Sequence, residues 1–229
     1  MNVTRQPLHC LKLVAFCCLL AMASSASADL IFLDEFTTDP ASNGWVITIA
    51  GPAATGSTIT TNGDQAVITE GGGAQEATFS LTRTIDTTGY SDITVNLRAF
   101  QSNVNFEATD YLGIQIDTGS GYTDLLRDHR AWTGIDDSSS GSGQSGTTTA
   151  TATGDISLPV AAAQNSALGV RIIAQMNTAD ETYFLESFTL SGSSTATVPE
   201  PNSLTLACLM TVALGGFKLR RRLRVDSAP

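Results

Sequence analysis

Between residues 29 and 197 the sequence has no cysteine, no lysine and a single histidine, His129. Without cysteine this stretch can form neither a disulfide nor a cysteine zinc site, and thiol catalysis is excluded; Cys10, Cys17, Cys18 and Cys208 all lie outside it. One histidine cannot build a His-rich metal centre, and no Gly-x-Ser-x-Gly elbow marks a nucleophile for it to activate. His129 therefore reads as a surface residue within Arg127-Asp128-His129-Arg130. The lack of lysine leaves five arginines against 20 acidic residues, a net charge of −15, where the whole 229-residue chain carries −10. Such a polyanion repels phosphate backbones, so no nucleic-acid partner is expected, while cations and weakly charged ligands are compatible with it. Gly71-Gly72-Gly73 lacks the lysine and the helix of a phosphate loop and reads as a hairpin turn.

The two ends read as addresses. Residues 1–28 place Arg5 and Lys12 around the start of an apolar run, Leu13 to Met22, followed by small residues to Ala28. That order is a signal peptide, with cleavage by signal peptidase expected before Asp29. The run of ten apolar residues is too short for a hydrocarbon layer of about 30 Å. Phe16 occupies the place where a lipoprotein box before Cys17 needs a small residue. Residues 198–229 hold Pro199, Glu200 and Pro201, an apolar segment from Ser203 to Phe217, and a cluster of Lys218, Arg220, Arg221, Arg222 and Arg224. Its apolar segment reads as a short transmembrane helix whose basic flank stays cytoplasmic. Motif, span and basic stop in this order resemble the PEP-CTERM sorting signal. The resemblance implies recognition of Pro199, Glu200 and Pro201 by an exosortase-type membrane protease, transient anchoring in the inner membrane, and delivery to the cell surface or the extracellular space. Proteins of this kind accompany exopolysaccharide and biofilm systems.

Residues 29–197 show a period of two. Ile93 to Ala99, Leu112 to Asp117 and Leu168 to Ile172 alternate apolar and polar; Leu30 to Phe36, Ala66 to Thr69, Ala77 to Ile85 and Tyr183 to Leu190 read as further strands. The 28 threonines of this stretch favour strands over helices. Asn43-Gly44, Asn62-Gly63-Asp64, Thr88-Gly89 and Gly119-Ser120-Gly121 supply turns. Pro159 to Leu168 is the best helical segment. Residues 138–154, rich in Ser, Gly and Thr, read as a low-complexity surface loop within one domain. The expected fold is all-β: a single antiparallel β-sandwich of eight to ten strands, jelly-roll-like.

Phe32-Leu33-Asp34-Glu35-Phe36, Asn43-Gly44-Trp45, Thr84 to Ile93 and Tyr183 to Leu190 resemble secreted jelly-roll modules of the galactose-binding-like and carbohydrate-binding kind. The resemblance implies a structural calcium (Ca2+) between an acid near the first strand, Asp34 or Glu35, and the last strand, where Glu186-Ser187 replaces the usual Asp or Asn pair. Glu186 lies in step with Phe184, Phe188 and Leu190, which places a carboxylate on the buried face and calls for a cation. Alternatively Leu185 marks the inward face, leaving Glu186 solvated or paired with an arginine. Tyr122 and Trp132 lie near loops and are candidates to stack on a sugar ring, whereas Trp45 reads as core. The leading functional reading is a non-enzymatic exported surface or matrix protein binding extracellular polysaccharide. A small secreted polysaccharide hydrolase using paired carboxylates, or a purely structural adhesion domain, are the alternatives.

Overall fold

Alternating aliphatic and threonine residues bury one side of an extended backbone and expose the other, and the chain follows this pattern into two facing sheets. The structure, a computed structural model, describes residues 28–72, 75–102, 105–129, 132–133, 144–145, 150–178 and 181–195. The segment expected to be a signal peptide, apart from Ala28, and the expected sorting signal with Pro199, Glu200 and Pro201 lie outside these residues. Among the described residues no helix is long and apolar enough to cross a membrane.

In chain order the strands are β1 (Ala28–Asp34), β2 (Val46–Ala50), β3 (Thr58–Thr61), β4 (Ala66–Thr69), β5 (Ala77–Ile85), β6 (Tyr90–Gln101), β7 (Asn105–Phe106), β8 (Tyr111–Asp117), β9 (Thr123–His129), β10 (Gln144–Ser145), β11 (Thr151–Ala152), β12 (Ile156–Ser157), β13 (Leu168–Met176) and β14 (Thr182–Ser194). One sheet is built on the pair β6 and β14. The first residues of β14 pair on their other side with β4, and its later residues pair with β1. β3 extends the sheet beyond β4, while β11 and β12 line the far edge of β6. The second sheet has the order β2-β5-β13-β8-β9, and β7 and β10 form a separate short pair. All pairings are antiparallel. The chain crosses repeatedly from one sheet to the other, which makes this an all-β two-sheet sandwich of jelly-roll type.

The inward residues of β5, β8 and β13, among them Phe79, Leu81, Leu112, Ile114 and Ile172, meet Val95, Leu97, Leu185 and Leu190 from β6 and β14 in one buried core. Each such side chain contributes about 1.5–3 kcal/mol by leaving water. Three expectations change. The glycines from Gly71 on do not join two paired strands as a hairpin would, because β4 and β5 belong to opposite sheets; Gly73 lies outside the described residues. Gly71 instead lies against the backbone of Gly56 and Ser57, where an added Cβ would stand 2.2 Å from the Gly56 carbonyl carbon. Pro159 to Leu168 supplies only a single 3-10 turn, Val160–Ala162, before β13 begins. Within the low-complexity segment, Gln144–Ser145 and Thr151–Ala152 pair with β7 and β6, so these parts belong to the sheets.

Candidate functional site

The expected calcium ligands do not come together. Asp34 ends β1 and is 4% exposed. Its Oδ1 accepts from the backbone N–H of Phe36 (2.8 Å) and from Asn43 Nδ2 (3.1 Å), and its Oδ2 accepts from the indole Nε1 of Trp45 (2.7 Å). These donors satisfy the buried carboxylate and hold Phe36 in a left-handed conformation (φ 52°). Trp45, core as expected, packs edge-on against Phe188 with ring centroids 5.6 Å apart. Glu35 is exposed and, with Thr38, Asn43, Gly44 and Arg83, lines an open recess of about 750 Å³. Glu186 faces outward. A register shift between Leu185 and Ser187 inverts the alternation of β14, so Tyr183 and Leu185 point inward on one side of it, Phe188 and Leu190 on the other. The Glu186 carboxylate accepts from Arg98 Nε at 2.6 Å. Extrapolating a strict period of two through this bulge put Glu186 on the wrong face.

Trp132 is likewise unavailable to a sugar. It is 2% exposed, its indole N–H donates to the Thr151 carbonyl (3.0 Å), and its backbone N–H donates to Gln101 Oε1. Tyr122, by contrast, is half-buried on the outer face of the five-stranded sheet. Glycine at 169 makes room for it: a Cβ there would lie 2.9 Å from the Tyr122 hydroxyl oxygen. The Arg171 guanidinium sits 3.7 Å from the Tyr122 ring centroid. Cross-strand register sets Thr82, Arg171, Gln115 and Asp124 side by side on β5, β13, β8 and β9. Arg171 Nη1 donates to Gln115 Oε1 (3.2 Å), Gln115 Nε2 donates to Asp124 Oδ1 (2.8 Å), and Arg127 Nη2 donates to the same oxygen (3.0 Å). The result is an aromatic ring beside a row of amide, guanidinium and carboxylate groups, two guanidinium groups to one carboxylate. Period-two alternation marks Gln115 and Arg171 as outward residues, but only pairing of four strands aligns them.

A second constellation was not recognised from the sequence. Glu107 and Asp110 bracket the turn between β7 and β8, and Glu181 immediately precedes β14. One oxygen from each lies within 4.8 Å of the others. Glu107 is exposed, whereas Asp110 and Glu181 are fully buried. Asp110 Oδ2 accepts from the Glu107 backbone N–H, and Glu181 Oε2 accepts from the N–H groups of Asn177 (3.0 Å) and Thr178 (3.1 Å). Asp110 Oδ1 and Glu181 Oε1 are buried without hydrogen-bond partners. Burial raises the Asp110 carboxyl to about 9, with Glu107 and Glu181 adding to the rise, and it raises Glu181 to about 7. Glu107 is held below the usual range, chiefly by its hydrogen bond with Asp110. The available signal was Glu107-x-x-Asp110 at turn spacing beside a strand; its relation to Glu181 is purely tertiary.

No family model and no curated protein matches the chain. Solved structures do. The carbohydrate-binding module TmCBM27, described for specific mannan recognition, is 11% identical with a TM-score of 0.44, the match covering 74% of this chain and 100% of that one. TmCBM61, solved with β-1,4-galactotriose, is 8% identical with a TM-score of 0.36, covering 63% and 86%. The K3 cleaved adhesin domain of Lys-gingipain from Porphyromonas gingivalis is 8% identical with a TM-score of 0.42, covering 72% and 99%.

Proposed function

We propose that the chain is an exported, non-catalytic surface or matrix protein whose sandwich binds a neutral extracellular polysaccharide on the outer face of the five-stranded sheet. The observation that carries this reading is the Tyr122 ring lying beside the Arg171–Gln115–Asp124–Arg127 row. A sugar ring presents an apolar face that stacks on an aromatic ring and a rim of hydroxyls that pair with amide, guanidinium and carboxylate groups. The two guanidinium groups of the row are engaged by Gln115 and Asp124, and its amide and carboxylate groups suit the hydroxyls of an uncharged glycan, while the net acidity of the body disfavours a polyanionic one. A hydrolase would need two carboxylates facing its substrate, and Asp110 and Glu181 are buried. In this proposal Pro199, Glu200 and Pro201 direct exosortase-type processing after export and signal-peptidase cleavage.

The test is retention on neutral polysaccharides and on a glycan array. Tyr122→Ala and Gln115→Ala are expected to lower affinity at least tenfold with an unchanged melting transition, and raising salt is expected to have little effect. Absence of binding to any neutral glycan, or binding indifferent to Tyr122→Ala, would favour a structural adhesion domain.

A further inference from the structure

The turns before β8 and before β14 meet at one end of the sandwich. Asn177 Nδ2 donates to Thr109 Oγ1 (3.4 Å), and Gln175 Nε2 donates to the Thr109 carbonyl (3.3 Å), tying one turn to the other. Each turn spends one carboxylate oxygen on its own backbone and leaves the other, Asp110 Oδ1 or Glu181 Oε1, buried and unmatched. Three carboxylates this close, two of them out of water, require protons or a cation. Among the described residues no basic side chain is among the groups acting on Asp110 or Glu181.

Tyr183 points independently to the same place. It lies on β14 two residues beyond Glu181, its ring packs on Phe106 at 5.1 Å between centroids, and Phe106 immediately precedes Glu107. The side chain is 0% exposed and its hydroxyl has no hydrogen-bond partner. The charges acting on that hydroxyl most strongly are Asp110 and then Glu181. Asn177 Oδ1, on the adjoining turn, is also buried and unmatched.

We infer that Glu107, Asp110 and Glu181 bind a calcium ion that clamps the two turns together, with Asn177 Oδ1 and the Tyr183 hydroxyl beside it. All these donors are oxygens, which suits calcium better than zinc, whose usual ligands are nitrogen and sulfur. Calcium accepts six to eight oxygens at about 2.3–2.6 Å in irregular geometry, so its ligand oxygens stand roughly 3–5 Å apart, the spread seen in this cluster. Magnesium needs a tighter octahedron and keeps several waters, which a site with two fully buried carboxylates does not favour. This site is separate from Asp34, whose oxygens are already satisfied, and from the sheet face assigned to the glycan.

The test is thermal unfolding of the full chain in chelator, in calcium and in magnesium, with calcium affinity measured by titration calorimetry. Calcium at a hundredfold excess over Kd is expected to raise Tm by roughly 5–10 °C. Asp110→Asn and Glu181→Gln keep side-chain volume and are expected to melt cooperatively in chelator while losing the calcium-dependent rise. Glu107→Gln, at an exposed position, is expected to fold normally and to weaken calcium binding at least tenfold. The inference is overturned if calcium leaves Tm unchanged, if the full rise persists in Glu181→Gln, or if magnesium at equal concentration matches calcium. Should both buried variants fail to fold, unchanged calcium affinity in Glu107→Gln overturns it.

Discussion

Asp34 and Glu181 are both carboxylates withdrawn from water, yet the protein treats them in opposite ways. Around Asp34, residues within a short stretch of the same chain, Phe36, Asn43 and Trp45, bring three N–H donors to two oxygens. Around Glu181, among the described residues, two further acids each bring an oxygen within 4.8 Å, and an oxygen on each buried member lacks a partner. The first carboxylate is a finished structural element that organises an aromatic cluster. The second belongs to a set of acids that no described basic side chain neutralises, which leaves protons or a metal to do so. Burial alone therefore does not distinguish a structural acid from a ligand; the count of unmatched oxygens does.

The largest test of this contrast is Asp34→Ala. It leaves three donors without their acceptor and is expected to destabilise the fold by about 3–5 kcal/mol, equally in calcium and in chelator, as measured by denaturant unfolding. A calcium-dependent loss would erase the contrast. Asp110→Asn should act in the other direction in chelator, leaving stability unchanged or raised by about 1 kcal/mol, because a neutral amide removes the cost of keeping a buried carboxyl protonated in the folded state.

Protonation offers a third comparison. In the metal-free protein Asp110 binds its proton up to about 9 and Glu181 up to about 7, so between the unfolded carboxylate range and these values the folded state holds protons that the unfolded chain releases. Stability in chelator should then be greatest at low pH and fall as pH rises through that window, and calcium should flatten the slope. Asp117 behaves oppositely: the N–H groups of Gly119 and Gly121 hold its carboxyl below the usual range. Its contribution, small at an exposed site, is present above the unfolded carboxylate pKa and disappears as pH falls through the folded one. Carboxyl chemical shifts followed by NMR titration would show both directions in one experiment. The smallest effect is expected at Arg98 and Glu186, whose pairing is solvent-exposed; Glu186→Ala should change stability by about 0–1 kcal/mol and leave calcium affinity alone.

Strands were legible wherever alternation was unbroken. Ala66 to Thr69 and Ala77 to Ile85 match β4 and β5 residue for residue, and Leu168 and Tyr183 fall at or beside the starts of β13 and β14. Failures followed irregular backbone and long-range assembly. The bulge at Glu186 is an added residue that no periodic rule anticipates. Trp132 follows β9, yet its burial depends on Gln101 and Thr151, strands away in sequence. The half-buried position of Tyr122 near a loop was legible because it sits between Gly119-Ser120-Gly121 and an alternating strand. The Glu107, Asp110 and Glu181 cluster was not, because each residue alone looks like an ordinary turn acid and only the pairing of β8 with β13 and of β14 with β6 brings them together.

The pairing of β1 with β14 bears on how such a chain acquires its shape. The first described strand finds its partner in the last, β4 needs the opening residues of that same strand, and β6 needs nearly all of it. A polypeptide passing through a narrow pore with its N-terminus leading therefore cannot complete this sheet until residues 182–194 have emerged. The closing step brings together segments from opposite ends of the domain, which makes it slow and leaves earlier strands with open edges while they wait. Folding thus waits by topology on the emergence of the last strand: a chain stopped short of Thr182 would have no strand to join β1, β4 and β6 into one sheet.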